Sequence, residues 1–203
     1  GRDIKRYSYD FANLYIITTF PSLKIDIEEY PAVKQHLLTF GYNRLKQTGD
    51  VGARKKTNNQ WFETQDSISY WDDLNSQKII WGEISDKTKF CIDLDGKFLN
   101  EATTFLMTGN SLLYLLGILN SKLSEYLFSK IGTTTGVGTV RWKKFTIEQL
   151  PVPFFKVEDR KVIEQMVRRI VENSDNFNFK DIENEINHKI YELLDFTIDE
   201  INF

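Results

Sequence analysis

Two apolar stripes near the end of the chain constrain the fold more than any other feature. Val162, Ile163, Met166, Val167, Ile170 and Val171 recur at helical spacing, and so do Ile182, Ile186, Ile190, Leu193 and Leu194. Residues three and four apart share a helix face, so each set forms one continuous stripe that must be covered. Only Asn173 to Asn178 separates the two helices, which predicts a helical hairpin. Thr197-x-x-Glu200 is a capping-box pattern and predicts the start of one more helix. Pro151 and Pro153 stand in front of the hairpin and close whatever precedes it.

Upstream of those prolines the pattern is different. Leu14 to Thr19 is rich in β-branched residues and predicts a strand ended by Pro21. Pro31 suits the first turn of a helix carrying Val33, Leu37, Leu38 and Leu45. Gly49 to Gln60 breaks all periodicity and predicts a flexible loop rich in hydrogen-bonding groups. Short strands are expected at Lys78 to Ile84, Lys89 to Ile92 and Thr103 to Met107, with Asp95-Gly96 as a hairpin turn. Asn110 or Ser111 can cap a helix that is apolar nearly all round from Leu112 to Leu119, hence buried. That run is too short to span a bilayer and is interrupted by Gly117. A second helix follows the Asn120-Ser121 joint and stops at Gly132. Gly132 to Gly138 predicts no regular element, and Val140 to Phe145 a further strand. Aromatic residues at 14% give such a chain ample material for a core. The expected class is α+β, a compact mixed core of short strands and helices followed by a C-terminal helical hairpin. The expected division is 1–155 and 156–203.

A formal net charge of −3 argues against a uniformly basic nucleic-acid binder. The distribution along the chain changes that picture. Residues 158–203 hold six basic against twelve acidic residues, a net of −6, which leaves +3 for residues 1–157. Between Gly41 and Trp61 stand Arg44, Lys46, Arg54, Lys55 and Lys56 against Asp50 alone. Thr139 to Thr146 holds Arg141, Lys143 and Lys144 with no acid. Each cluster lies beside glycines and a tryptophan, Trp61 or Trp142, a mixture that suits a loop tracking a phosphate backbone. A solvated surface loop has the same composition.

Catalytic patterns are missing from the sequence. It has no GxxxxGK[ST] loop, no nucleophile elbow and no HExxH. Gly132, Gly136 and Gly138 lack the spacing of a dinucleotide fingerprint. The single cysteine, Cys91, excludes an internal disulfide and a cysteine zinc cluster, and it reads as a core filler on a strand. His36 and His188 are far apart, so no metal is expected; His188 should pair with a glutamate of the acidic hairpin. Asp93, Asp95 and Lys97 could be read as the remnant of a metal-dependent nuclease, but a polar turn explains them better. No catalytic residue is assigned.

The order of features is nonetheless familiar. The opening Gly1-Arg2-Asp3-Ile4-Lys5-Arg6-Tyr7, the stretch Leu14–Thr19 and Arg44 with its basic gap to Trp61 come first. Ile79-Ile80-Trp81 and Phe105 to Leu127, centred on Leu119-Asn120-Ser121, follow. Together they resemble the TaqI-like C-terminal specificity domain, the target-recognition domain of bacterial restriction-modification enzymes. Leu-Asn-Ser joints and a Pro151-Val152-Pro153 exit are also similar to those of type I specificity subunits.

The resemblance implies a sequence-specific module for double-stranded DNA, working in the cytoplasm and away from membranes. It also implies a parent chain, a type II restriction enzyme, in which an adenine-N6 methyltransferase domain precedes this one and binds S-adenosylmethionine. No cofactor is expected within residues 1–203. On that reading Arg44, Lys46, Arg54, Lys55 and Lys56 meet phosphates, and Asn58, Asn59 and Gln60 are candidate base readers. Thr133, Thr134 and Thr135 offer hydroxyl groups in a second DNA-facing loop. Arg141 and Lys143 should point outward together, with Trp142 turned into the core. The acidic hairpin should act as a scaffold. The alternative is a protein-interaction domain that docks a partner subunit through that hairpin.

Overall fold

The chain divides into two units, residues 13–71 and residues 1–12 together with 72–203. The structure, a computed structural model, describes residues 1–136, 138–173 and 178–201. The predicted connection of the hairpin falls mostly at 174–177, outside the described residues.

In the 13–71 unit, proline and glycine set the helix boundaries. Pro31 occupies the first position of α1 (Pro31–Leu38). Gly41, with φ +89°, turns the chain before α2 (Tyr42–Leu45), so the helical pattern expected across residues 31–45 is broken in two. The strand expected at Leu14–Thr19 does not form. Leu14 and Tyr15 are 77% and 84% exposed there. β-branched residues favour a pleated surface, but a strand needs a neighbour for its N–H and C=O groups. No strand occurs among the described residues of this unit. The short helix α3 (Trp71–Leu74) marks the boundary between the units.

The second unit holds two antiparallel three-stranded sheets among its described residues. Its strands are β1 (Lys78–Gly82), β2 (Ile84–Ser85), β3 (Phe90–Asp93), β4 (Thr104–Met107), β5 (Thr133–Thr134) and β6 (Val140–Arg141). The run expected as one strand from Lys78 to Ile84 therefore splits, and its halves join different sheets. β1 lies between β3 and β4, with Ile80 opposite both Cys91 and Leu106. Because β3 and β4 flank β1, Asp95-Gly96 is not a hairpin turn. Gly96 has φ +67°, and a Cβ there would lie 2.3 Å from the Asn75 carbonyl oxygen. The second sheet runs β2-β6-β5, so Thr133 and Thr134 do form a regular element. β6 is shorter than expected. The chain turns after it into α6 (Lys144–Ile147), with Lys143 at the cap position.

Helices cover the sheets. α4 (Leu112–Leu119) follows Ser111, which has φ 55° and makes no side-chain cap. α5 (Lys122–Ile131) starts at Ser121, whose side chain accepts from the Ser124 N–H. The joint between them is built on Asn120. Its side chain donates to the Phe90 carbonyl at 2.9 Å and accepts from the Phe90 N–H at 3.2 Å, so one amide satisfies a residue of β3 as a neighbouring strand would.

The hairpin helices are α7 (Val157–Glu172) and α8 (Lys180–Leu193), followed by α9 (Ile198–Ile201). Half of the predicted capping box is present: the Glu200 carboxylate accepts from the N–H and hydroxyl of Thr197 at 2.8 Å, while the Glu200 N–H donates to the Thr197 backbone carbonyl at 3.1 Å rather than to its hydroxyl. Their stripes are buried: Ile163, Val167, Ile170, Ile186 and Ile190 join one core with α4 and the sheet. Gly117 is the close-approach point, since a Cβ on it would lie 2.9 Å from Val167 Cγ2 and 3.0 Å from Ile163 Cγ2. At the other end of the sequence, Tyr7 is buried and its N–H donates to the Phe90 carbonyl. Arg6 pairs with Glu183 of α8 and donates to Thr88 and to the Asn120 carbonyl.

Candidate nucleic-acid interface

The basic stretch of the 13–71 unit is held by backbone and amide hydrogen bonds. Arg54 N–H donates to Lys46 O at 3.1 Å, Gly49 N–H to Arg54 O at 3.0 Å, and Thr57 N–H to Gln47 O at 3.1 Å. Residues 46–57 thus form a narrow hairpin-like loop, more ordered than the composition suggests. The buried Gln47 is its anchor: its amide donates to the carbonyls of Gln60 and Glu63, and its oxygen accepts from the Thr57 hydroxyl. The buried Glu63 accepts from the Gln60 N–H at 2.7 Å. Neither residue carries a sequence signal for this role, because a polar side chain turned inward looks like any other until its partners are placed.

The candidate contacts fall into groups. Arg44 and Lys56 are exposed and make no ion pair among the described residues. Lys46 pairs with Asp50 at 3.2 Å, and Lys55 with Asp66 at 2.7 Å. The Lys55–Asp66 pair is exposed and worth little, whereas Lys46 is partly covered and its partner Asp50 exposed. Arg54 is partly buried and donates to the Glu63 carbonyl at 2.9 Å. Among the amides, Asn58 and Gln60 are exposed, while Asn59 donates to the carbonyls of Thr64 and Gln65. Asp50 accepts from the Thr48 hydroxyl and sits beside Lys46, and these hold its carboxyl below the usual range. A cleft of about 500 Å³ is lined by Leu37, Phe40, Arg44, Leu45, Gly52, Ala53 and Arg54.

The second candidate loop belongs to the other unit. Thr133 and Thr134 are exposed on β5. Thr135 is turned to Thr139, with their hydroxyls 2.5 Å apart. Arg141 pairs with Glu83 at 2.9 Å and stays partly exposed, and Lys143 makes no ion pair among the described residues. Trp142 points inward, as the alternation predicts. It is 3% exposed and stacks on Phe128 with ring centroids 3.9 Å apart. Lys144 faces solvent on α6 and lies 3.7 Å from Glu148.

The residues set aside as non-catalytic have structural partners. Asp93 is buried and receives Lys78 Nζ at 2.6 Å and the N–H groups of Lys97 and Phe98. Three donors thus occupy most of the acceptor sites of this carboxylate and commit it to the fold. Cys91 is buried in β3, and burial pushes its thiol up to about 12. His188 is exposed beside the Tyr191 ring and makes no ion pair with a glutamate among the described residues, contrary to expectation. Among the described residues no group of His, Cys, Asp or Glu is placed to hold a metal ion, and no helix is long and apolar enough to cross a membrane.

The described residues form an α+β fold with two small antiparallel sheets, and the acidic helical pair belongs to the same unit as the sheets. The model of the TaqI-like C-terminal specificity domain family matches residues 1–152, and the chain belongs to that family. Its function is DNA target recognition in restriction-modification enzymes. No curated protein matches the chain.

Proposed function

We propose that this domain binds double-stranded DNA sequence-specifically and positions a separate methyltransferase or nuclease region of its parent chain on the target. Residues 1–155 act as the recognition part and 156–203 as the scaffold. The observation that carries the reading is the loop of residues 44–60, in which a fixed backbone holds five cations. Electrostatic contacts to phosphates fix register, and a few exposed amides read base edges. Arg44, Lys46, Arg54, Lys55 and Lys56 take the phosphate role. Asn58 and Gln60 read bases, with Asn59 keeping the loop in shape. Thr133, Thr134, Thr135, Arg141 and Lys143 form a second contact region.

The hairpin's charge of −6 over residues 158–203 disfavours close approach to phosphates, which supports the scaffold role. Most of its apolar stripes are buried inside its own unit, which favours the scaffold role over the docking of a partner subunit. An adenine-N6 methyltransferase domain upstream would bind S-adenosylmethionine and supply the methyl group. The present residues would hold the DNA for it. The cytoplasm, where the cell's DNA lies, is the compartment for such work.

Salt dependence tests the reading. The chain should bind duplex DNA with a log–log salt slope that falls by about one unit for each phosphate contact removed. A combined Arg54→Ala, Lys55→Ala, Lys56→Ala variant should therefore show a clearly shallower slope. An unchanged slope in a folded variant refutes the assignment of this loop.

A further inference from the structure

The tip of the basic loop has a feature that phosphate binding does not use. Ala53 N–H donates to the Asp50 carbonyl at 3.0 Å, and Gly52, third in the turn, has φ +81°. This is a type II turn, in which the third residue must be glycine or asparagine. Its second residue is Val51. At 107% exposure it is the most exposed large apolar side chain among the described residues. The turn is not a loose end: the Gly49–Arg54 and Arg54–Lys46 hydrogen bonds close the stem directly beneath it.

A lone exposed valine needs no explanation by itself. This one stands at the apex of a hydrogen-bonded turn, with Lys46, Arg54, Lys55 and Lys56 in the loop that carries it. Those cations draw the tip toward a polyanion. The carboxylate beside it, Asp50, is offset by Lys46 at 3.2 Å. The major groove, roughly 12 Å wide, displays base edges more fully than the minor groove. The apolar group that the major groove presents, and the minor groove lacks, is the C5-methyl of thymine. A branched aliphatic side chain has the shape and polarity to cover that methyl, and it can make no hydrogen bond to any base.

We propose that Val51 is a specificity-determining residue that reads the C5-methyl group of a thymine in the target. This rests on the reading of the chain as a DNA-recognition domain. The contact discriminates thymine from cytosine at one position, while the amides of Asn58 and Gln60 act elsewhere in the site.

The experiment uses the 203-residue chain. Duplexes are selected from a randomised pool, and the thymines of the selected site are then replaced one at a time by deoxyuridine, which lacks only the methyl group. At one position the replacement should weaken binding roughly fourfold, the factor expected for one buried methyl. A Val51→Ala variant should bind thymine and deoxyuridine equally well there, with an unchanged salt slope and thermal stability. Retained discrimination in that variant, or a site indifferent to every replacement, overturns the proposal while leaving DNA recognition standing. Failure of the chain to bind any duplex overturns both.

Discussion

Arg141, the last residue of β6, and Trp142, which follows it, have opposite surroundings, and substituting each alone separates fold from recognition. The Trp142 ring stacks on Phe128 at 3.9 Å and 13°, and meets Phe90 edge-on at 5.9 Å. Its indole N–H donates to the Ser85 carbonyl at 3.3 Å. Its backbone is equally committed, since the N–H donates to Glu83 O and the carbonyl accepts Trp81 Nε1 at 2.7 Å. Trp142→Ala keeps the backbone bonds but leaves a cavity between Phe128 and Phe90 and strands the Ser85 carbonyl.

Truncating a buried tryptophan costs about 3–5 kcal/mol. For a chain of this length that lowers the melting temperature by roughly 6–20 °C. Arg141 is held by one partly exposed pair with Glu83, and exposed pairs contribute about 0–1 kcal/mol. Arg141→Ala should therefore melt within a few degrees of the parent while losing affinity for duplex DNA and part of the salt slope. Circular dichroism melts and fluorescence anisotropy titrations, run below the lower melting point, measure both quantities on the same samples. A Trp142→Ala variant that melts normally but no longer binds, beside an indifferent Arg141→Ala, would refute the assignment of the two faces.

Three further outcomes follow from the core. Gly117→Ala gains helix propensity of about 1 kcal/mol but forces a methyl against Val167 and Ile163, both fully buried. Overpacking of about 1–3 kcal/mol should win, and a raised urea midpoint would contradict the close packing of α4 on α7. Asp93→Ala leaves Lys78 buried without its counter-ion and should cost about 3–5 kcal/mol; an unaltered urea midpoint would show that this pair is not structural. Stability should also fall on the alkaline side. Burial raises the Cys91 thiol from 9.0 and the Tyr114 hydroxyl from 10.0, each to about 12, and pushes Tyr7 up as well. The unfolded chain loses these protons first, so stability is fully present below about pH 9 and declines between pH 9 and 12. A urea midpoint that is level across that window would refute the burial of these groups.

The amphipathic hairpin was legible in the sequence because a stripe at 3.6-residue spacing is local, and any helix bearing it must bury that face. The Thr197–Glu200 contact and the glycine stop at Gly132 are local too, as is the inward turn of Trp142, which follows from alternation with Arg141, the last residue of β6. What the sequence left open depended on neighbours far along the chain. Leu14–Thr19 has strand residues but no partner edge, and propensity cannot supply one. Lys78–Ile84 looks like one strand, yet its two halves pair with β3 and β4 on one side of Glu83 and with β6 on the other. Asp95-Gly96 has hairpin composition, but Gly96 is glycine because the Asn75 carbonyl passes too close for a Cβ. The basic loop shows the same division. Its cations are visible in the sequence, whereas the Gln47 anchor that orders it, the ion pairs of Lys46 and Lys55, and the exposure of Val51 are properties of contacts, and contacts exist only once the chain is folded.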